Sequence, residues 1–319
     1  MIEELPTLSK IREAAARIEA HAHKTPVLIS KSLNQLFDCE FFFKAENLQK
    51  TGAFKFRGAC NSVFSLSDED ASCGVATHSS GNHAQALALA AKLRGIKAIL
   101  VMPKNSIAAK VAAVRTYGGE IIFCENSLES RESTLAEVVA KTRSHVIHPY
   151  NDFRVIAGQA TAALELISDY PELDLILVPV GGGGLLSGTA LAAHYLASQI
   201  QVIAVEPEGA SDAYQSRLAG KIVPSINPQT IADGLRSSIG NKTFYVMQKY
   251  VKDIVTVKEK SIEDAMTLIW QRLKTVVEPS GAVPLAAVVE QKIEVRKKRI
   301  GIILSGGNID MPSFERERT

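Results

Sequence analysis

Residues 173–195, LDLILVPVGGGGLLSGTALAAHY, constrain this chain more than any other stretch. An apolar strand ends at Val180, four glycines follow, and a helix is expected from about Leu185. A glycine run between strand and helix lets backbone N–H groups approach an anion, and the helix dipole favours negative charge there. A tight turn needs one or two glycines, so Gly181, Gly182, Gly183 and Gly184 argue for a phosphate cradle. The dinucleotide pattern G-x-G-x-x-G fails in both registers, because its last position is Leu186 or Ser187. Glu206 ends the next strand, where a ribose-binding acid would lie, so a nicotinamide enzyme stays open. The Walker pattern fails too, since Thr189 and Ala190 follow Gly188. A different phosphorylated cofactor is the better expectation.

Strand-like apolar runs occupy residues 41–43, 98–101, 121–123, 175–180, 202–205 and 300–304. Helical patterns fall at 82–93, 106–117, 128–142, 155–168, 185–196, 261–274 and 283–291. Such alternation predicts an α/β protein with parallel sheet. The 82–93 segment is apolar on nearly every side, which predicts a helix buried between layers. Two further strand ends carry polar turns: Ser79, Ser80, Gly81, Asn82 and His83, and then Ser305, Gly306, Gly307 and Asn308. Ligands of open α/β sheets bind outside the carboxyl ends of strands, so three such turns point to one cleft. Residues 223–238 are rich in turn formers and form the longest candidate functional loop.

Charge and cysteines narrow the class. Lys+Arg total 36 against 34 Asp+Glu, which gives no electrostatic reason to expect nucleic acid. The basic residues at 292–299 are too short a run to change that and read as a solvated helix end. Cys39, Cys60, Cys73 and Cys124 form no C-x-x-C pair and read as thiols of a reducing compartment. The first twenty residues lack the apolar core of a signal peptide, and no apolar stretch reaches the ~18 residues of a membrane span. The expectation is a cytoplasmic protein with neither a nucleic-acid nor a membrane partner.

Lys55 stands between Phe54 and Phe56 in KTGAFKFRGA. Aromatic neighbours suggest a partly desolvated amine, and desolvation lowers a lysine pKa and makes the amine a better nucleophile toward carbonyls. A nucleophilic lysine, a phosphate cradle and polar strand ends together describe a pyridoxal-phosphate site.

KTGAFKFRGA, HSSGNHAQAL, PVGGGGLLSG, the IADG of 231–234 and LSGGN, taken together, resemble the fold type II pyridoxal-phosphate enzymes. This is the tryptophan synthase β-like group that includes the serine and threonine dehydratases, and the likeness runs from about Lys24 to Asp310. It implies an α/β fold of two domains with parallel-rich sheets flanked by helices. Residues 1–77 and 146–319 would form the large domain and 78–145 the small one. It also implies pyridoxal 5'-phosphate in the cleft, a small amino-acid substrate and a homodimer. By the same resemblance Lys55 is the Schiff-base lysine, Phe54 packs on the cofactor ring and Asn82 meets its phenolic oxygen. The four glycines hold the phosphate, and Ser305 faces the pyridine nitrogen.

Within the group the racemase branch is the nearest match. Ser80 resembles its second acid/base, opposite Lys55, where dedicated threonine dehydratases typically carry Ala. The expected activity is serine racemisation with serine/threonine dehydration. The alternatives are a threo-3-hydroxyaspartate ammonia-lyase and a dehydratase without racemase activity. Substrate contacts are expected from Ser79, Ser80, His83, Arg131 and Asp233, with His78 and His148 beside Arg131 for a second carboxylate. Glu206, the carbonyl of Ala210 and Asp212 resemble the divalent-cation site of the racemases, suited to Mg²⁺, Ca²⁺ or Mn²⁺. Lys50, Thr51, Gln85, Tyr117 and Lys274 match positions near the ATP effector site of the animal enzymes. Tyr150-Asn151-Asp152 stands where those enzymes have Asn first, which argues against strong ATP activation.

Overall fold

The computed structural model describes residues 4–310 apart from 80 and 107. Its strands are β1 (Val27–Leu28), β2 (Glu40–Ala45), β3 (Val75–His78), β4 (Ala98–Pro103) and β5 (Glu120–Cys124). They continue with β6 (His145–Val146), β7 (Leu175–Pro179), β8 (Gln201–Pro207), β9 (Asp253–Val257) and β10 (Arg299–Leu304). The helices are α1 (Leu8–Ile18), α2 (Lys31–Phe37), α3 (Lys55–Phe64), α4 (Asp68–Ser72), α5 (Asn82–Arg94), α6 (Ala108–Thr116) and α7 (Leu128–Thr142). After them come α8 (Phe153–Asp169), α9 (Gly184–Leu196), α10 (Asp212–Ala219), α11 (Asn241–Tyr250), α12 (Glu259–Leu273) and α13 (Pro279–Val289).

Two sheets result. The larger runs β1-β2-β10-β7-β8-β9, parallel except for β1 against β2. The smaller runs β5-β4-β3-β6 and is parallel throughout. The inner strands β2, β10, β7 and β8 are buried on both faces, which is why they read as continuous apolar runs. Alternate residues feed opposite cores. Ile176 and Val178 pack with α8, α9 and α11, while Leu175 and Leu177 pack with α12 and α13. Below the smaller sheet, Val75, Leu100 and Met102 share a cluster with α3 and α5. The expected buried helix is α5. Its residues from His83 to Ala88 are all buried, and its exposed residues, Lys92 and Leu93, lie in the last turn.

Helix α3 begins at Lys55 and is clamped by charge. Arg57 donates to Glu46 at 2.7 and 2.8 Å and to Glu165 at 2.7 and 2.9 Å. Lys44 donates to the same Glu165 at 2.5 Å. Arg57, Lys44 and Glu46 are fully buried, so each charge depends on its partners. The network ties α3 to β2 and α8. Helix α13 starts earlier than the expected 283, because Pro279 takes the first helical position, where its missing N–H costs nothing.

Candidate active site

The glycine turn joins strand to helix as its sequence suggests. β7 ends at Pro179, and Gly181 to Gly184 turn into the N-terminus of α9. Gly183 has φ +86°, in the left-handed region that favours glycine. A Cβ on Gly182 would run into the Tyr150 ring, and one on Gly184 would come within 3.0 Å of the Tyr150 Cβ. Thr243 Oγ1 donates to the Gly182 carbonyl at 2.8 Å, holding the turn from behind. A bare backbone at a helix N-terminus, backed by an aromatic ring, fits a phosphate group.

Lys55 reaches the same region. Its Nζ donates to the Pro149 carbonyl at 2.8 Å and lies 5.1 Å from the Phe54 ring centroid and 6.0 Å from that of Tyr150. Burial pulls its pKa down to about 8, partly offset by the negative charge of Glu278. The amine is thus available uncharged far more often than a surface lysine. The Lys55 loop and the last strand end are one unit. Phe54 N donates to the Ser305 carbonyl at 3.0 Å, and Gly307 N to the Gly52 carbonyl at 2.9 Å. Ser305 itself is buried.

Asn82 opens α5 and meets this unit from the side of the smaller sheet. Its amide donates to Glu278 Oε1 at 2.9 Å and accepts from Asn308 at 2.9 Å. Burial drives the Glu278 carboxyl up to about 7. Neither Glu278 nor Asn308 was assigned a role from the sequence. The visible signal for Glu278 was an acid placed directly before Pro279 between the apolar Val276-Val277 and Gly281-Ala282-Val283.

Three histidines crowd the region and all stay neutral at pH 7. Burial lowers His83 to about 3 and His148 to about 4, and burial with Arg131 lowers His78. His83 Nε2 faces the Ile147 carbonyl at 3.1 Å, leaving its Nδ1 buried without a partner. His148 Nδ1 accepts from the backbone N–H groups of Asn151 at 2.9 Å and Tyr150 at 3.3 Å, so its proton sits on Nε2. Arg131 stands near enough to His78 to depress its pKa, while its Nε donates to the Ser127 carbonyl at 3.2 Å. Asp233 is ion-paired with Lys110 of α6. Ser79 is half-buried at the end of β3. Ser80 lies outside the described residues.

The cation candidates do come together. Glu206 is fully buried and accepts from the backbone N–H of Ala213 and of Tyr214, each at 3.0 Å. Asp212 accepts from Ile239 N at 2.9 Å through one oxygen, and its other oxygen is buried with no partner. Burial raises Asp212 to about 6, and burial with Asp212 raises Glu206 well above the usual carboxylate range. Two buried acids and an orphaned oxygen, with the buried Ala210 between them in sequence, fit a hard cation with oxygen ligands. Among the described residues no group of three or more His, Cys, Asp and Glu is placed to hold a metal.

The nucleotide candidates are more scattered. Gln85 lines a cavity of about 500 Å³ with Lys110, Asp233, Arg236, Asn308 and Asp310. The Thr51 carbonyl accepts from Asn308 at 2.7 Å, which puts it beside that cavity. Lys50 leans on the Phe56 ring at 5.9 Å, Tyr117 packs against the core under α5, and Lys274 caps α12.

A family model described as pyridoxal-phosphate dependent enzyme matches residues 18–306. The chain is 52% identical to a serine racemase of Arabidopsis thaliana, over 95% of this chain and 93% of that protein. It is 48% identical to a beta-hydroxyaspartate dehydratase of Paracoccus denitrificans, over 96% of this chain and 98% of that protein. The structure of maize serine racemase superposes with a TM-score of 0.95 at 48% identity, covering 97% of this chain and 95% of that one.

Proposed function

The chain belongs to the pyridoxal-phosphate dependent enzymes, and from that premise we propose that it is a serine racemase that also dehydrates serine and threonine. When bound, the cofactor withdraws electrons from the substrate Cα and makes the α-proton removable. The remaining work falls to side chains of this protein. Gly181 to Gly184 would bind the phosphate, and Lys55 would hold the cofactor covalently until the substrate amine displaces it, and then, as a free amine, would move the proton at Cα on one face. Ser80, between Ser79 and Gly81 in sequence, delivers or removes a proton on the other face. Asn82 and Ser305 orient the ring at its phenolic oxygen and its nitrogen. For dehydration the Lys55 step would suffice: the β-hydroxyl leaves as water, and the product hydrolyses to ammonia with pyruvate from serine or 2-oxobutanoate from threonine.

The observation that carries this reading is the Lys55 amine bonded to the Pro149 carbonyl and lying by the Tyr150 ring, against which Gly182 and Gly184 pack at the N-terminus of α9. Racemisation is favoured by the 52% identity to the Arabidopsis serine racemase. A specific feature supports a second reading, ammonia loss from 3-hydroxyaspartate. Arg131, His78 and His148 lie together, and the Paracoccus relative at 48% identity bears that activity in its name.

Glu206, Asp212 and the Ala210 carbonyl would hold Mg²⁺ or Ca²⁺. An anionic nucleotide effector would lie in the cavity beside Gln85, where Lys110 and Arg236 supply positive charge. Residues 78–145 would move as the small domain and close over the substrate in a cytoplasmic homodimer. The deciding experiment offers purified holoenzyme L-serine, D-serine, L-threonine and both threo-3-hydroxyaspartates, and measures enantiomers and keto acids in the same tubes. D-serine from L-serine supports the first reading. A hydroxyaspartate consumed with no serine interconversion replaces it by the second.

A further inference from the structure

Glu278 is only 4% exposed, yet both of its carboxyl oxygens lie against the Asn82 amide nitrogen, at 2.9 and 3.2 Å. The Asn82 oxygen accepts from Asn308 at 2.9 Å, and the same Asn308 nitrogen donates to the Thr51 carbonyl at 2.7 Å. Asn82 therefore has a donor on its oxygen and an acceptor on its nitrogen, and its amide has one orientation. An amide nitrogen carries two N–H groups, so one N–H shared between the two Glu278 oxygens would leave the other for a ligand.

On its other side Glu278 meets the last strand end. Its backbone N–H donates to the Gly306 carbonyl at 2.9 Å, and a Cβ on Gly306 would come within 2.5 Å of Glu278 Oε1. Gly306 directly follows Ser305. One buried acid thus touches the residue that would face the cofactor's phenolic oxygen and the neighbour of the residue that would face its ring nitrogen. Those are the two ring positions that exchange protons.

We propose that Glu278 is a positioning residue that fixes Asn82 as a donor and, through its own charge, sets how tightly the phenolic end of the bound cofactor holds a proton. The proposal rests on the reading of Asn82 and Ser305 given above. The charged groups that face the carboxyl are Lys55 from α3, Lys110 from α6 and Asp233 from the turn after residue 232. Burial and Asp233 push its titration up, and Asn82 and Lys110 pull it down, with a net value of about 7. Its charge therefore changes across neutral pH.

The test titrates the absorbance of pyridoxal phosphate in reconstituted wild type, Glu278→Gln and Asn82→Ala across neutrality, with cofactor affinity measured in parallel. Wild type should show a spectral transition centred near pH 7. Glu278→Gln keeps an acceptor for Asn82 but no charge, and should lose that transition. If Glu278→Gln does not fold, Glu278→Asp serves instead: it keeps the charge but withdraws it from Asn82, and must move the midpoint. An unmoved midpoint in whichever variant folds overturns the proposal while leaving the cofactor site standing. An unchanged spectrum and affinity in Asn82→Ala would overturn the assignment of Asn82 and the proposal together.

Discussion

Lys55 Nζ donates to the carbonyl oxygen of Pro149 at 2.8 Å. The bond joins the first residue of α3 to the segment that leads from β6 into α8, two stretches 94 residues apart in sequence. It also orients the amine beside the Tyr150 ring, which backs the glycine turn. The Lys55 amine and the glycine turn are thus aligned by one short stretch, Pro149-Tyr150.

The first prediction follows from that amine. Only its uncharged form attacks a carbonyl, so the rate at which apoprotein captures pyridoxal phosphate should rise through pH about 8 and then level off. Lys55→Ala should give no protein-linked cofactor after borohydride reduction, read by mass spectrometry. A reducible linkage persisting in the variant would place the attachment on another residue.

A second prediction concerns the clamp on α3. Arg57→Met leaves the buried Glu46 with only the Thr25 hydroxyl bonded to it and the charge of Lys44 nearby, and Glu165 keeps only Lys44. Breaking a buried ion pair by removing one partner costs about 3–5 kcal/mol, so urea unfolding at neutral pH should report a loss of that order. The double variant Arg57→Met, Glu46→Gln removes the stranded charge and should recover part of it. Equal losses in the single and double variants would mean that packing, not charge, holds α3.

The parts legible in the sequence are those whose chemistry is local. Four consecutive glycines between an apolar run and a helix announce the tight turn into α9, and Phe54 and Phe56 flank Lys55 within one turn. The six apolar runs all became strands; burial on both faces leaves five of them no polar alternation, while β5, at a sheet edge, stays partly exposed. β1 and β6 escape such reading because two residues carry no period. Glu278 and Asn308 escape it for another reason. Each acts on Asn82, from 196 and 226 residues away, and no local pattern encodes such a pairing.

The buried acids give a third prediction. Asp212 has a folded pKa of about 6 against an ordinary 3.8, so the folded protein binds its proton more tightly than the unfolded chain does. Stability from this group is complete below pH about 4 and is lost as pH rises to about 6. Two pKa units correspond to something on the order of 3 kcal/mol. Glu206 shifts in the same direction. Metal-stripped protein should therefore melt at a lower temperature at pH 8 than at pH 5, and Mg²⁺ or Ca²⁺ should narrow the gap. Asp212→Asn should flatten the pH dependence and abolish the metal response. A metal response that survives in the variant would locate the cation elsewhere.

The last prediction separates the two chemistries at Ser80. Racemisation needs a proton taken from one face of Cα and returned to the other, whereas elimination needs only the first transfer. If Lys55 and Ser80 serve opposite faces, Ser80→Ala should lose most serine racemisation, by a factor on the order of 10²–10⁴, the usual contribution of a general acid/base. Elimination from the enantiomer whose α-proton faces Lys55, expected to be the L form, should persist. The variant should fold, since removing one hydroxyl costs about 1 kcal/mol even where that hydroxyl caps a helix. The measurement is D-serine formation and deuterium uptake at Cα from L-serine in D₂O, with pyruvate followed alongside. Interconversion of the serine enantiomers at the wild-type rate in Ser80→Ala would exclude the two-base arrangement, because no proton source on the second face would then depend on that hydroxyl.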